Sequence, residues 1–303
     1  MSGTGRLGVL LLAFGAPRRP EEVEPFLAAV TGGRPLPPAV VAEYRGRYLR
    51  IGGGSPLPAI IDELAAALER RLASAGFSCR VAVGTLHWRP TLAEGIGELA
   101  RAGVERAVAI TLVPQYSAAS VGRYLARLQQ EMEAAGRPFP VAVVRSWATH
   151  PLLVRAFAQE LSAALAVLPA ATQVVFSAHS VPIAGVAEDD PFEEELRATA
   201  AAVAALAGVR QWRLAYQSAG GGGPWLGPTL AETVETLAAS GAQDVLVVPI
   251  HFLGDNVEIL YDIDIALRER AERFGVRLSR SKSLNASPLL VAALADLAAH
   301  PPA

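Results

Sequence analysis

Three stretches of the sequence place proton-exchanging or metal-binding side chains directly after apolar runs. His179 stands in Ser177-Ala178-His179-Ser180-Val181-Pro182, at the end of the run 174–178. A neutral imidazole accepts a proton near pH 7 or ligates a transition metal. The plainer alternative is a histidine that only packs a strand end. Glu258 and Asp262 stand in Gly254-Asp255-Asn256-Val257-Glu258-Ile259-Leu260-Tyr261-Asp262, after the run 244–250. Four residues apart on a helix, they share one face. Stacked carboxylates there raise one pKa or share a cation. The plainer alternative is helix capping, with Asp255 as N-cap and Glu258 three residues on. His87, in Gly84-Thr85-Leu86-His87-Trp88, is a third candidate. It reads either as a secondary metal or proton site, or as a polar loop residue beside a packed tryptophan.

The elements that must position these groups are legible as a pattern. Short Val-, Ile- and Leu-rich runs cover 8–14, 80–84, 106–113, 141–144, 174–178, 213–216 and 244–250. Nearly continuous apolar runs of this length read as parallel strands covered on both faces. Helical patterns lie between and after them at 60–74, 91–102, 121–135, 152–168, 192–207, 229–240 and 257–274. Alternating β and α units predict parallel sheets with right-handed crossovers.

A repeat divides the chain. Trp88-Arg89-Pro90-Thr91-Leu92-Ala93-Glu94 matches Trp225-Leu226-Gly227-Pro228-Thr229-Leu230-Ala231-Glu232 with one inserted residue. Each copy continues as a helix to a glycine, Gly103 or Gly241, and then into a Val-rich strand. Ala13-Phe14-Gly15-Ala16-Pro17 and Ala178-His179-Ser180-Val181-Pro182 correspond more loosely. The reading is two similar α/β halves, 1–148 and 149–303. Ligands in such folds sit beyond the carboxyl ends of strands, which is where His179, His87 and the 254–262 segment fall.

Composition narrows the function. The 303 residues carry 27 basic and 29 acidic side chains, so no global positive field gathers nucleic acid. The single cysteine, Cys79, excludes an internal disulfide or a Cys₄ zinc site and reads as a small buried hydrophobe opening a strand. The apolar stretch 7–14 is too short to span a bilayer and reads as a buried first strand. Gly220-Gly221-Gly222-Gly223 lacks the following Lys-Ser/Thr of a phosphate loop and reads as a flexible tip.

Several segments, in order along nearly the whole chain, resemble the ferrochelatase family. They are Leu12–Pro17, Ile51-Gly52-Gly53-Gly54-Ser55-Pro56-Leu57, Val113-Pro114-Gln115-Tyr116-Ser117, Ser177–Pro182, Tyr216-Gln217-Ser218, Pro224–Pro228 and Val248–Asp262. The resemblance implies two Rossmann-like halves, each a parallel sheet flanked by helices, with a porphyrin cleft between them. It implies Fe²⁺ insertion into a porphyrin in haem biosynthesis, a lyase reaction. His179 would take pyrrole protons or ligate the incoming iron, Glu258 would be its carboxylate partner, and Asp262 would extend an acidic face toward the metal. Phe14, Ile51, Tyr116 and Trp225 would pack on the ring. Ser55 and Tyr116 would hold a propionate or support the cleft, and Arg50 would pair with a propionate in preference to Arg34, Arg45, Arg47 or Arg123. No permanently bound cofactor is implied, since Fe²⁺ is a substrate.

The sequence departs from the family pattern at three positions. Asn256 stands where the family usually has histidine and cannot accept a proton at neutral pH. Phe14 stands where many relatives carry a tyrosine, and it cannot ligate a metal. Ala266 stands where a third carboxylate extends the acidic face, and Asp264 points elsewhere on a regular helix. The short chain resembles soluble bacterial members, which implies a cytoplasmic monomer using coproporphyrin III ahead of protoporphyrin IX. Contacts with other haem-pathway proteins are implied, and no transmembrane segment. The departures keep a porphyrin- or haem-binding carrier open as an alternative, and the shared architecture does so for a sirohydrochlorin-type chelatase.

Overall fold

The computed structural model describes residues 5–185, 189–218 and 224–301. The Gly220–Gly223 run lies outside them. The chain forms two compact units, one of residues 1–113, 120–147 and 285–303, the other of 114–119 and 148–284.

The first unit is built on β1 (Leu7–Ala13), β2 (Cys79–Thr85), β3 (Arg106–Thr111) and β4 (Val141–Val144), in the order β2-β1-β3-β4. All pairings are parallel, and Leu7 of the central β1 aligns with Cys79 on one side and Arg106 on the other. Every residue of β1 is buried, as its unbroken apolar sequence requires. Cys79 is buried at the start of β2, its thiol against the Glu69 carbonyl. Helices α1 (Val23–Val30), α2 (Pro38–Arg50), α3 (Leu57–Ser74), α4 (Leu92–Arg101) and α5 (Val121–Ala134) accompany this sheet. Leu10, Leu12 and Ala109 of the sheet pack on Leu92, Ile96 and Leu99 of α4 and on Tyr124 and Leu128 of α5.

The second unit repeats the plan with β5 (Gln173–His179), β6 (Trp212–Gln217), β7 (Asp244–Pro249) and β8 (Arg277–Arg280), in the order β6-β5-β7-β8. Its helices are α6 (Pro151–Leu165), α7 (Phe192–Leu206), α8 (Leu230–Ala239), a π-helix over Glu258–Leu267 and α9 (Arg268–Arg273). In both sheets the order reverses between the first and third strands, β1/β3 and β5/β7. Their carboxyl ends are where open α/β sheets bind ligands.

The repeat read in the sequence is also a repeat of hydrogen bonds. Thr91 and Thr229 each close a capping box, with Glu94 and Glu232 respectively. Thr85 and Tyr216 donate their backbone N–H to the carbonyls of Pro90 and Pro228, at 2.7 and 2.8 Å. Gly103 and Gly241 then take φ of 69° and 88°, the left-handed geometry that ends each helix.

Two boundaries differ from a division at 148. The last helix, α10 (Pro288–Ala299), packs on α3 and β3 of the first unit and buries Leu290, Val291, Leu294 and Leu297. Residues 114–119 join the second unit because their polar groups bond to α7, as described below. The short β8 leaves no apolar run in the sequence because only Leu278 among its four residues is buried. Among the described residues, no helix is long and apolar enough to cross a membrane.

Candidate active site

β5 ends on His179, and the ring is fixed by what surrounds that end. The Ser180 N–H donates to the Gln217 carbonyl on the β6 side at 2.9 Å. The His179 N–H donates to Nδ1 of His251 on the β7 side at 3.3 Å. Nδ1 of His179 lies against the Ser180 carbonyl, so Nε2 is the nitrogen left for chemistry. Nε2 stands 3.2 Å from Oε1 of Glu258. The His179 side chain keeps 26% of its surface exposed and that of Glu258 keeps 34%, so both reach solvent. Trp225 and Phe252 flank the imidazole, with ring centroids 6.4 and 6.1 Å away.

Glu258 is aimed by its backbone. Helical geometry begins at Val257, and the cap is Asn256 rather than Asp255. Oδ1 of Asn256 accepts from the N–H groups of Glu258 at 2.8 Å and Ile259 at 3.2 Å. Asp255 is taken instead by the Ser283 hydroxyl at 2.7 Å and by Arg280 at 3.4 Å. Because Asn256 does the capping, the Glu258 carboxylate faces His179. Gln217 adds a second restraint: its Nε2 donates to the Glu258 carbonyl at 3.1 Å, and its Oε1 accepts from Ser177 at 2.9 Å. One buried amide thus ties β5, β6 and the start of the π-helix together. Asn256→Ala should lower the unfolding free energy by about 1–2 kcal/mol, the usual cost of a lost cap. Denaturant titration of the variant against the parent chain measures it.

The helix carrying Glu258 is not the regular α-helix expected over 257–274. It is π-helical through Leu267. Bonding from i to i+5 gives roughly four and a half residues per turn, so residues four apart lie nearly in line. Glu258, Asp262 and Ala266 therefore form one row. Asp262 accepts from the Ser218 hydroxyl at 2.6 Å. The row of carboxylates stops at Ala266, and Asp264 does not replace the missing one. Both its oxygens, at 2.8 Å each, are held by Arg280, whose side chain is only 12% exposed.

Charge separates the three imidazoles of interest. Burial pushes the His179 pKa down, but the Glu258 carboxylate, the Ser180 carbonyl and the Asp262 charge outweigh it and carry it up to about 9. Burial and the neighbouring His179 push His251 down to about 3. Burial and the charge of Arg123 push His87 down to about 4, opposed by a bond to the Ala29 carbonyl. At neutral pH His179 is an imidazolium paired with a carboxylate, and the other two are neutral.

The remaining sequence candidates fall into separate groups. Trp225 joins His179, Glu258 and Asp262 in the second unit. Tyr116 is in that unit too: its N–H donates to Glu195 of α7 at 2.6 Å, while Ser117 and the Ala118 N–H bond Asp190. In the first unit, Phe14 is 41% exposed beyond β1 and lies against His87, with ring centroids 4.7 Å apart and the planes tilted by 59°. Phe26 braces Phe14 and Trp88. His87 lies beside Arg123 and Arg127, whose charges disfavour added positive charge on its ring. Among the described residues no three His, Cys, Asp or Glu side chains form a metal cage.

Arg50 and Ile51 end α2, with Arg50 exposed. The 52–55 loop is a structural turn. A Cβ at Gly54 would fall 2.1 Å from the Arg18 carbonyl, the Ser55 N–H donates to Pro17, and the buried Ser55 hydroxyl accepts from Leu57. Of the other arginines, Arg47 pairs with Glu43 and covers Tyr44, and Arg34 bonds the Thr31 carbonyl. Gln217 and Ser218 are polar groups of this site that sequence reasoning passed over, whereas His251, at the strand end before Phe252-Leu253-Gly254, reads in the sequence as a lesser candidate and a structural residue. The Tyr216-Gln217-Ser218 motif was the one available signal for Gln217 and Ser218.

Known proteins share both the sequence and the fold. Residues 6–301 match the family model for ferrochelatase. The ferrochelatase of Acidobacterium capsulatum is 40% identical, with 97% of this chain and 94% of that protein aligned. The ferrochelatase of Deinococcus radiodurans is 37% identical over 96% and 94%. The coproporphyrin III ferrochelatase of Mycolicibacterium vanbaalenii is 34% identical over 95% and 88%. Among solved structures, SirB from Bacillus subtilis with Fe³⁺ aligns over 97% of this chain and 96% of its own, with a TM-score of 0.61 and 12% identity. That likeness speaks to the fold, two four-stranded parallel sheets of chelatase type. With the family matched across nearly its full length, the chain belongs to the ferrochelatase family, enzymes that insert Fe²⁺ into a porphyrin in haem synthesis.

Proposed function

We propose that this chain inserts Fe²⁺ into coproporphyrin III, with His179 as proton acceptor and metal ligand and Glu258 as its carboxylate partner. The observation that carries the reading is the 3.2 Å contact between His179 Nε2 and Glu258 Oε1, on side chains that both reach solvent. Porphyrin metallation removes two pyrrole protons, and Fe²⁺ must exchange its waters for nitrogen ligands. His179 in its neutral form offers one lone pair, at Nε2, for either task. Glu258 neutralises the imidazolium that results. Asp262, next in the row, carries a second negative charge that favours a cation on the same face. Trp225, beside His179, offers flat surface for the macrocycle.

The choice of coproporphyrin III is supported by the Mycolicibacterium relative that carries that substrate in its name. The test is anaerobic incubation of the full chain with Fe²⁺ and either coproporphyrin III or protoporphyrin IX, followed by absorbance. Faster Soret and Q-band conversion with coproporphyrin III is expected. Preference for protoporphyrin IX reverses the substrate assignment. Tight binding of both with no conversion selects a carrier instead.

A further inference from the structure

We infer that His251 is a positioning residue for the reaction: its Nδ1 accepts the His179 backbone N–H and so sets the strand end from which His179 reaches Glu258. The inference rests on the reading of His179 given above.

The parallel ladder explains why a side chain is needed there. β5 and β7 pair as far as Ser177 and Pro249, and the Ile250 N–H donates to the Ser177 carbonyl at 3.0 Å. The next rung would run from the His179 N–H to the Ile250 carbonyl. That oxygen accepts instead from Nε2 of Gln115 at 3.2 Å, and the buried Gln115 also bonds Thr199 at 3.1 Å. β7 has ended, and the imidazole of His251 supplies the acceptor that the strand no longer provides, at 3.3 Å. The Ser180 N–H, one residue on, is satisfied by Gln217. His179 is thereby gripped on both sides, by backbone toward β6 and by one side chain toward β7.

The acceptor role fixes the form of His251. A neutral ring that accepts at Nδ1 carries its hydrogen on Nε2. His251 is 6% exposed, and among the described residues its Nε2 has no hydrogen-bond partner. The ring is wedged between Phe192, edge-on at 5.2 Å, and Phe252, tilted at 5.7 Å. Such a group serves neither as a base reaching the porphyrin nor as a surface metal ligand. A buried N–H at position 179 left without this partner relaxes toward another acceptor, and Nε2 moves with it. Small displacements of a reacting group cost rate more than binding.

Two measurements on the full chain test this. Nitrogen-15 histidine spectra of the unaltered protein at neutral pH should show His251 with a bare Nδ1 and hydrogen on Nε2. The opposite tautomer overturns the inference whatever His179 does. His251→Phe keeps the ring packing but removes the acceptor, whereas Oδ1 of His251→Asn falls near the lost Nδ1. The phenylalanine variant should lose about 20-fold in kcat, with porphyrin KM within about twofold. The asparagine variant should recover kcat to within about threefold of the parent. Phenylalanine turnover within twofold of the parent, or asparagine no better than phenylalanine, overturns the inference. Should the phenylalanine chain not fold, His251→Ala takes its place in the same comparison. Undiminished turnover by His179→Ala would instead sink the reading of His179, leaving the tautomer result to stand by itself.

Discussion

His179→Ala should lower kcat for Fe²⁺ insertion by at least about a hundredfold, the lower end of what a positioned acid–base group contributes. Affinity for the porphyrin should stay within a few-fold of the parent chain. The asymmetry follows from geometry. His179 lies at a strand end with Nε2 turned to Glu258, and the flat surface proposed for the macrocycle comes from another residue, Trp225. Neither of the other two neutral imidazoles substitutes for it. His251 is buried behind it, and His87 lies in the other compact unit, beside Arg123 and Arg127. Fluorescence quenching for binding and anaerobic stopped-flow absorbance for insertion separate the two quantities. Turnover within a few-fold of the parent would remove His179 from the chemistry.

The second large effect is in pH. His179 sits at about 9, well above the ordinary histidine value of about 6.5. Only the neutral form accepts a pyrrole proton, and at pH 7 that form is about one molecule in a hundred. The kcat/KM for insertion should therefore climb about tenfold per pH unit from neutrality and level off near pH 9. Glu258→Gln removes the carboxylate charge but leaves the burial, so the inflection should move down by more than a unit. The groups facing His179 in that variant are Asp262 and the neutral His251. A profile flat from pH 6 to pH 9, or one unmoved in the glutamine variant, contradicts the ion pair. Stability should move in the opposite sense. A folded pKa raised above the unfolded value stabilises the protein fully below pH 6.5, and that contribution is lost as pH rises through 9. Midpoints of thermal unfolding should accordingly fall across that window, and fall less in Glu258→Gln.

Much of the architecture was legible because it depends on burial, which composition records directly. β1 reads as Leu7-Gly8-Val9-Leu10-Leu11-Leu12-Ala13, and all seven residues are buried. The matched Trp-Arg-Pro-Thr and Trp-Leu-Gly-Pro-Thr segments became matched capping boxes because a threonine and a glutamate three apart satisfy the same orphan N–H groups wherever they occur. β8 was missed because an edge strand with one buried residue has no alternation to detect. The π-helix was missed for a related reason. Apolar residues at 259, 263 and 267 suit either an α- or a π-helix, and the extra residue per turn shows only in the backbone bonds.

The site divides along the same line. The sequence by itself determined which groups exist: histidines after strands, two carboxylates four apart, a family order of motifs and an asparagine at 256. Only the tertiary structure decided what each does. Local spacing favoured Asp255 as the cap of this helix; Arg280 and Ser283, more than twenty residues further along the chain, claim it instead. That leaves the cap to Asn256 and the carboxylate of Glu258 to His179. His251 passed for a structural residue in the sequence because its partner is a backbone N–H 72 residues away. Hydrogen bonds across such separations depend on how strands end beside one another. No local pattern of residues encodes that, so the capping, the ion pair and the grip on His179 became visible only in the folded chain.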